Sequence, residues 1–219
     1  MPISDREGRE RVYGGQTQAE RQAKRQRQFL EAGLQVFGTA GYREATVRQL
    51  CRQAQLTDRY FYEAFGSTED LLVAVYLECI RGLRDRVIRR VLEADAKHPE
   101  QLVRGALDGF FEAVQDARLA RVVWLEVRGV SPRVDQIYTG SQREFAKLLI
   151  QLAQRMHPQL DETNPLHRMT TIGLIGALSE SARQWMLREY HEPRELMVEA
   201  AATILLAVSD GWARKGGDM

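Results

Sequence analysis

Between residues 46 and 62 this 219-residue chain gathers hydroxyl, guanidinium and phenol groups at spacings that suit a polyanion. Thr46 and Thr57 each precede a short helical run, Arg48 and Arg59 follow each by two residues, and Tyr60 and Tyr62 come next. Hydroxyls, phenols and helix N-terminal amides hydrogen-bond phosphate oxygens, which positions a nucleic acid without reading its sequence. A guanidinium forks to the O6 and N7 of guanine, and a carboxylate accepts from a cytosine amine. Thr46, Arg48, Thr57 and Tyr62 are therefore assigned to phosphate, and Asp58, Arg59 and Tyr60 to base edges. The plainer alternatives are helix capping for the two threonines and surface decoration for the others. Lys24 and Arg25 are further candidates for backbone contact.

Such groups need short helices to hold them. Thr46 and Gln49 form a T-x-x-Q capping box, after which Val47, Leu50, Cys51 and Ala54 share one face. Gln55-Leu56 makes a turn. Thr57 then caps a helix that carries Phe61 and Phe65 one turn apart. A helix over about 21–39, with Leu30, Gly33, Leu34 and Phe37 inward and Gly41 as its stop, precedes the pair. Two short helices joined by a tight turn form a helix-turn-helix unit, whose second helix fits the DNA major groove.

Beyond this unit the periodicity stays helical and no sustained alternation occurs. Ser67 and Asp70 start a long helix with Leu72, Val75, Tyr76, Cys79, Ile80, Leu83 and Val87 on one stripe. Further helices are predicted at 99–116, 118–129, 132–156, 165–190 and 193–213, and prolines 99, 132, 158, 165 and 193 punctuate them. The fold class is all-α. Residues 1–20 read as a flexible arm, 21–66 as a three-helix DNA-binding domain and 67–219 as a larger helical bundle.

Net charge divides along the same lines. The total is +1, yet residues 1–20 carry −1, 21–60 carry +5 and 61–219 carry −3. A positive excess confined to the short helices suggests a polyanion partner. Two cysteines without a CxxC argue against a disulfide scaffold or a thiolate zinc site. Nucleotide-loop, nucleophile-elbow and zinc-protease motifs are all missing, so no enzyme activity and no cofactor are expected. The longest apolar stretches, 71–77 and 200–208, are short for a membrane span, and a cytoplasmic location is expected.

Residues 46–72, TVRQLCRQAQLTDRYFYEAFGSTEDLL, preceded by FLEAGLQVFGTAGYREAT, resemble the DNA-binding signature of the TetR family of bacterial transcriptional regulators. The resemblance covers about residues 21–82, with the motif itself at 46–65. Arg59 stands where the family commonly has a small residue, and Thr68 replaces a common lysine, which should weaken the salt-dependent part of binding. The resemblance implies a homodimer on a palindromic operator, with the last two long helices in contact. Gly173, Gly176, Ala177, Ala201, Ile204, Leu205 and Val208 are the interface candidates. It also implies a small-molecule effector in the bundle, with Tyr76, Phe110, Phe111, Trp124, Tyr138, Phe145 and Trp185 as candidate lining. A repressor released by its effector is the expected behaviour; the alternatives are a helical protein-binding adaptor without specific DNA binding and, last, an enzyme using the bundle cavity.

Overall fold

Side chains that replace missing backbone partners set most of the helix starts. The computed structural model describes residues 17–94 and 98–216. Its helices are α1 (Gln18–Phe37), α2 (Val47–Ala54), α3 (Asp58–Ala64), α4 (Thr68–Glu93), α5 (Pro99–Val114), α6 (Ala117–Arg121), α7 (Pro132–Ala153), α8 (Pro165–Leu187) and α9 (Arg194–Gly216). Helix α6 runs on into a π-helical turn, Val122–Glu126. Ser67, Asp116, Ser131 and Asn164 accept hydrogen bonds from the first amides of α4, α6, α7 and α8. Proline occupies the first turn of α5, α7 and α8, where its missing N–H costs nothing.

Three expectations need correction. The predicted arm over 1–20 lies outside the described residues up to 16, but Thr17 to Glu20 belong to α1. The Thr17 hydroxyl accepts from the Glu20 N–H, and the Glu20 carboxylate accepts from the Thr17 N–H, a complete capping box. Second, α1 ends at Phe37 and turns Phe29, Ala32, Gly33, Val36 and Phe37 inward, leaving Leu30 and Leu34 half-buried. Third, the predicted helix at 118–129 is the short α6 plus its π-helical turn.

Helices α1 to α3 close on an aromatic centre. The Phe29 ring meets Phe61 edge-on at 5.5 Å and Phe65 at 6.2 Å, with Leu50 fully buried alongside. This core continues without a break into the bundle through Leu71, Leu72 and Val75 of α4. There α4 packs along α5, α5 along α9, and α7 along α8.

Glycine allows two close approaches to α4. A Cβ on Gly33 would come within 2.7 Å of Val75 Cγ2, and one on Gly109 within 2.8 Å of the Arg86 carbonyl oxygen. Gly105 also faces α4 backbone, 3.1 Å from the Arg90 oxygen. Gly105 and Gly109 thus serve helix packing.

Gly109→Ala should destabilise the chain by about 1–3 kcal/mol in urea unfolding, because backbone must yield to the added methyl. Gly140→Ala, which meets open space, should be neutral or gain up to about 1 kcal/mol. At the start of α4, hydrogen bonds from Ser67 and then from Arg133 hold the Asp70 carboxyl below its usual range. A depressed carboxylate stabilises the fold above its unfolded pKa and loses that contribution as pH falls through its folded one. Asp70→Asn should therefore lower the urea midpoint at pH 7, and the difference from the parent should begin to shrink as pH falls below about 4 and vanish only below the folded pKa.

Candidate nucleic-acid interface and ligand cavity

The Thr46 hydroxyl accepts from the Gln49 N–H at 3.2 Å, so α2 starts on the predicted cap, although only this half of the box is formed. Helix α2 ends at Gln55, whose φ of 55° is the left-handed conformation that turns the chain back. Thr57 occupies the predicted N-cap of α3, but its hydroxyl makes no capping bond. Asp58 instead accepts from the Arg59 N–H at 2.9 Å.

Helix α3 buries Phe61 and presents the opposite face to solvent. Tyr62 is 61% exposed, and Thr46, Arg48, Thr57, Asp58 and Arg59 are also exposed. The Arg59 Nε donates to Glu63 Oε1 at 2.9 Å, an exposed i,i+4 ion pair. Pairs of this kind are worth only about 0.3–0.5 kcal/mol, so the guanidinium is readily redirected. Tyr60 differs from its neighbours. It is half-buried against the core, and the Arg25 guanidinium lies 4.5 Å from its ring centroid. That contact links α1 to α3 and occupies one face of the ring. Burial, followed by the negative charge of Asp58, raises the pKa of the Cys51 thiol beneath this surface.

The three-helix head is tied to the bundle by groups that periodicity cannot reveal. The Tyr42 N–H, in the turn after α1, donates to Glu126 Oε2 at 2.7 Å. Glu126 closes the π-helical turn, and its other oxygen accepts from Arg121 Nε at 2.7 Å. Gly41, at φ 95°, allows this approach, since a Cβ there would crowd both Arg121 and Glu126. Arg118 also reaches Gln35 of α1 at 3.0 Å.

Inside the bundle a cavity of about 80 Å³ lies among α4, α5, the π-helical turn, α7, α8 and α9. Of the candidate lining residues, Phe110, Trp124 and Phe145 line it. Tyr76, Phe111, Tyr138 and Trp185 line neither this cavity nor the second one described below. Phe111 and Trp185 stack edge to face at 5.7 Å in the core, and the Trp185 indole donates to the Glu192 carbonyl at 2.8 Å. Tyr76 is buried with its ring 6.3 Å from that of half-buried Tyr138. Burial pushes the Cys79 thiol on the same helix up to about 12. The remaining lining is mostly aliphatic, together with Gln142 and Ser179. Sequence reading missed it by weighting aromatics. A second cavity, of about 60 Å³ and reaching to Trp212, adjoins the first at Ala106, Leu149, Leu152 and Leu205.

The predicted interface residues separate. Gly173, Gly176 and Ile204 are exposed, and Ala177 and Val208 are half-buried. Ala201 and Leu205 are buried in the core of their own chain and present no outer surface.

Residues 29–75 match the family described as "Bacterial regulatory proteins, tetR family". The chain is 27% identical over 139 residues to the HTH-type transcriptional regulator BetI of Escherichia coli O17:K52:H18, covering 64% of this chain and 71% of that one. Among solved structures, it resembles the fatty acid degradation regulator FadR from Bacillus halodurans, with a TM-score of 0.71 at 21% identity, over 83% of this chain and 94% of that one. It also resembles the transcriptional regulator FadR from Bacillus subtilis in complex with stearoyl-CoA, with a TM-score of 0.67 at 19% identity, over 82% and 96% of the two chains.

Replacing Glu126 by Ala leaves the Tyr42 N–H without its acceptor, and hydrogen bonds to charged groups contribute about 1.5–3 kcal/mol. Hydrogen exchange at the Tyr42 amide should accelerate by roughly tenfold or more while amides in the middle of α8 keep their protection. Unchanged exchange at Tyr42 would contradict the assigned bridge.

Proposed function

This chain belongs to the TetR family of bacterial transcriptional regulators, and we propose that it is a repressor that binds a palindromic operator as a homodimer and leaves it when a small molecule occupies the bundle. The observation that carries the reading is the exposed face of α3. Thr57, Arg59 and Tyr62 stand on a short helix fixed from behind by Phe61, at the end of a helix-turn-helix unit with local positive excess. Thr46, Thr57, Tyr62 and Arg48 hold phosphates in this reading. Arg59 leaves Glu63 to read a base edge, with Asp58 beside it. Tyr60 acts chiefly by positioning α3, because its ring is engaged by Arg25.

A second copy of the chain would cover the outer faces of α8 and α9. Leu166, Met169 and Leu187 on α8, and Leu196 and Ile204 on α9, are large apolar side chains left exposed. Gly173 and Gly176 between them meet open space, which suits close approach of a partner helix. By length and composition, Arg194–Ala213 is apolar enough to cross a membrane, with a mean hydropathy of 1.4. Its inward side packs on α5 and α8, and a two-fold partner accounts for the outward side. Such a dimer presents two α3 helices to half-sites about one helical turn apart. A cytoplasmic location follows from this role.

Operator selection from genomic fragments, followed by gel shift, tests the reading. Tyr62→Phe should weaken binding to all sites alike, whereas Arg59→Ala should relax preference at one base pair by about 1–3 kcal/mol. Ile204→Glu places like charges across the two-fold axis and should yield monomers in light scattering with loss of operator retention. A folded protein that retains no DNA at any salt concentration would favour the adaptor alternative.

A further inference from the structure

The two bundle cavities form one path. The first follows α7 from Gln142 to Leu152 and the second from Leu149 to Ala153 and on to Met156 in the turn beyond, while Ala106, Leu149, Leu152 and Leu205 wall both. The helical part of that stretch rises roughly 17 Å, so the joined path is long and narrow. Its volumes of about 80 and 60 Å³ are small, and the narrow shape favours an extended ligand over a compact one. A flexible chain could instead part α7 from α4 and α5 along a seam of aliphatic side chains.

Apart from Arg155 and Ser209 in the second cavity, the polar groups gather in the first. Trp124 is 4% exposed, and its indole N–H has no hydrogen-bond partner among the described residues. It lines the first cavity together with Gln142 and Ser179. A buried donor without an acceptor is costly, and a ligand oxygen would satisfy it. The first cavity also shares Ile80, Phe145 and Leu148 with an outer groove between α4 and α7. That groove carries Arg81, Arg84 and Lys147 against Glu144. The three cations lean on Glu78, Asp85 and Glu144 in exposed pairs, which a stronger anion can displace. Among the described residues, no Asp or Glu lines either cavity, and Arg155 is the charged group that does.

We propose that the ligand is an unbranched acyl chain with an anionic head. The chain lies along α7 through the neck at Ala106 and Leu152. The first acyl oxygen accepts from Trp124 Nε1, and the head faces the α4–α7 groove. This rests on the cavity being the effector site of the regulator. A free fatty acid and its coenzyme A ester share the chemistry; only the ester extends phosphates to Arg81 and Arg84.

Titration calorimetry on the free protein, without DNA, tests this with palmitate, palmitoyl-CoA, octanoyl-CoA and hexadecyltrimethylammonium. At least one palmitoyl probe should bind about tenfold or more tighter than the cation. If palmitoyl-CoA is the ligand, Arg81→Ala with Arg84→Ala should weaken it roughly fivefold and leave palmitate unchanged. Binding of palmitate alone would identify the free acid. Ala106→Phe fills the neck and should abolish the advantage of the palmitoyl over the octanoyl chain while octanoyl binding persists. Leu149→Trp makes the same test should Ala106→Phe fail to fold by circular dichroism. No palmitoyl binding, equal binding of the cation, or an unchanged chain-length preference in both folded variants overturns the proposal. Operator retention, measured separately, would survive that failure, so the regulator reading falls only if DNA binding fails too.

Discussion

Everything in this molecule that could move a reading head depends on how closely α4 is gripped. On one side Gly33 of α1 lets Val75 and Leu71 approach to distances that a Cβ would forbid. On the other, Gly105 and Gly109 of α5 bring backbone against the carbonyls of Arg86 and Arg90. Close-packed interiors transmit displacement because they compress little. Helix α4 also spans both regions, with Leu71 and Leu72 beside the core of the head and Leu83 and Val87 at the cavity. A rotation of α4 within the bundle must therefore carry α1, and with it α2 and α3.

A second route from cavity to head runs through the π-helical turn. Trp124 faces the cavity, and Glu126, two residues on, holds the Tyr42 amide. π-Helical turns strain the usual hydrogen-bond ladder and tend to occur where function has selected them. Here the wider turn lets one short segment present an indole to the interior and a carboxylate to the α1–α2 turn. Arg133 adds a third tie, reaching from α7 to Asp70 and Glu69 at the start of α4. Because α7 forms one wall of the cavity, widening it loads this ion pair as well. Two rigid routes and one exposed ion pair are enough for a population shift. An effector needs only a differential affinity of a few kcal/mol between head spacings.

Much of this was legible from sequence, for identifiable reasons. Helix starts at α4, α7 and α8 were visible because Ser67, Pro132 and Pro165 are local signals that tertiary structure does not override. The start of α1 was missed although Thr17 and Glu20 spell a capping box, because the polar, charge-mixed residues before it suggested a longer arm. The inward stripe of α1 was misjudged by one position, since Leu30 and Leu34 outscore Ala32 and Gly33 in hydrophobicity. The space, however, admits only small side chains there. The Glu126 bridge had no signal at all: a carboxylate between apolar neighbours reads as solvent-facing unless the distant turn at Tyr42 is already in place. Cavity lining follows the same logic. Aromatic residues advertise themselves, but Phe111 and Trp185 fill the core, and the wall of the path is made by aliphatic side chains such as Leu149 and Leu152, which resemble any other core position.

The segmental charge gains meaning from how the charges are spent. In the bundle, several arginines are committed to carboxylates: Arg90 to Asp108 and Glu112, Arg194 to Asp108, Arg183 to Glu180. Hydrogen bonds from Arg183 and then Gln184 hold the Glu180 carboxyl down at about 2, so that pair stays ionised across any ordinary pH. In the head, Arg59 has one weak exposed partner and Arg25 lies over an aromatic ring, which leaves its charge uncompensated. Internal pairing cancels the field of the bundle at short range, and salt screens what remains beyond roughly 10 Å. A polyanion approaching this protein therefore senses the uncompensated cations of the head and little of the larger, mildly acidic body. In the proposed reading, this field turns α3 toward DNA before any base is read.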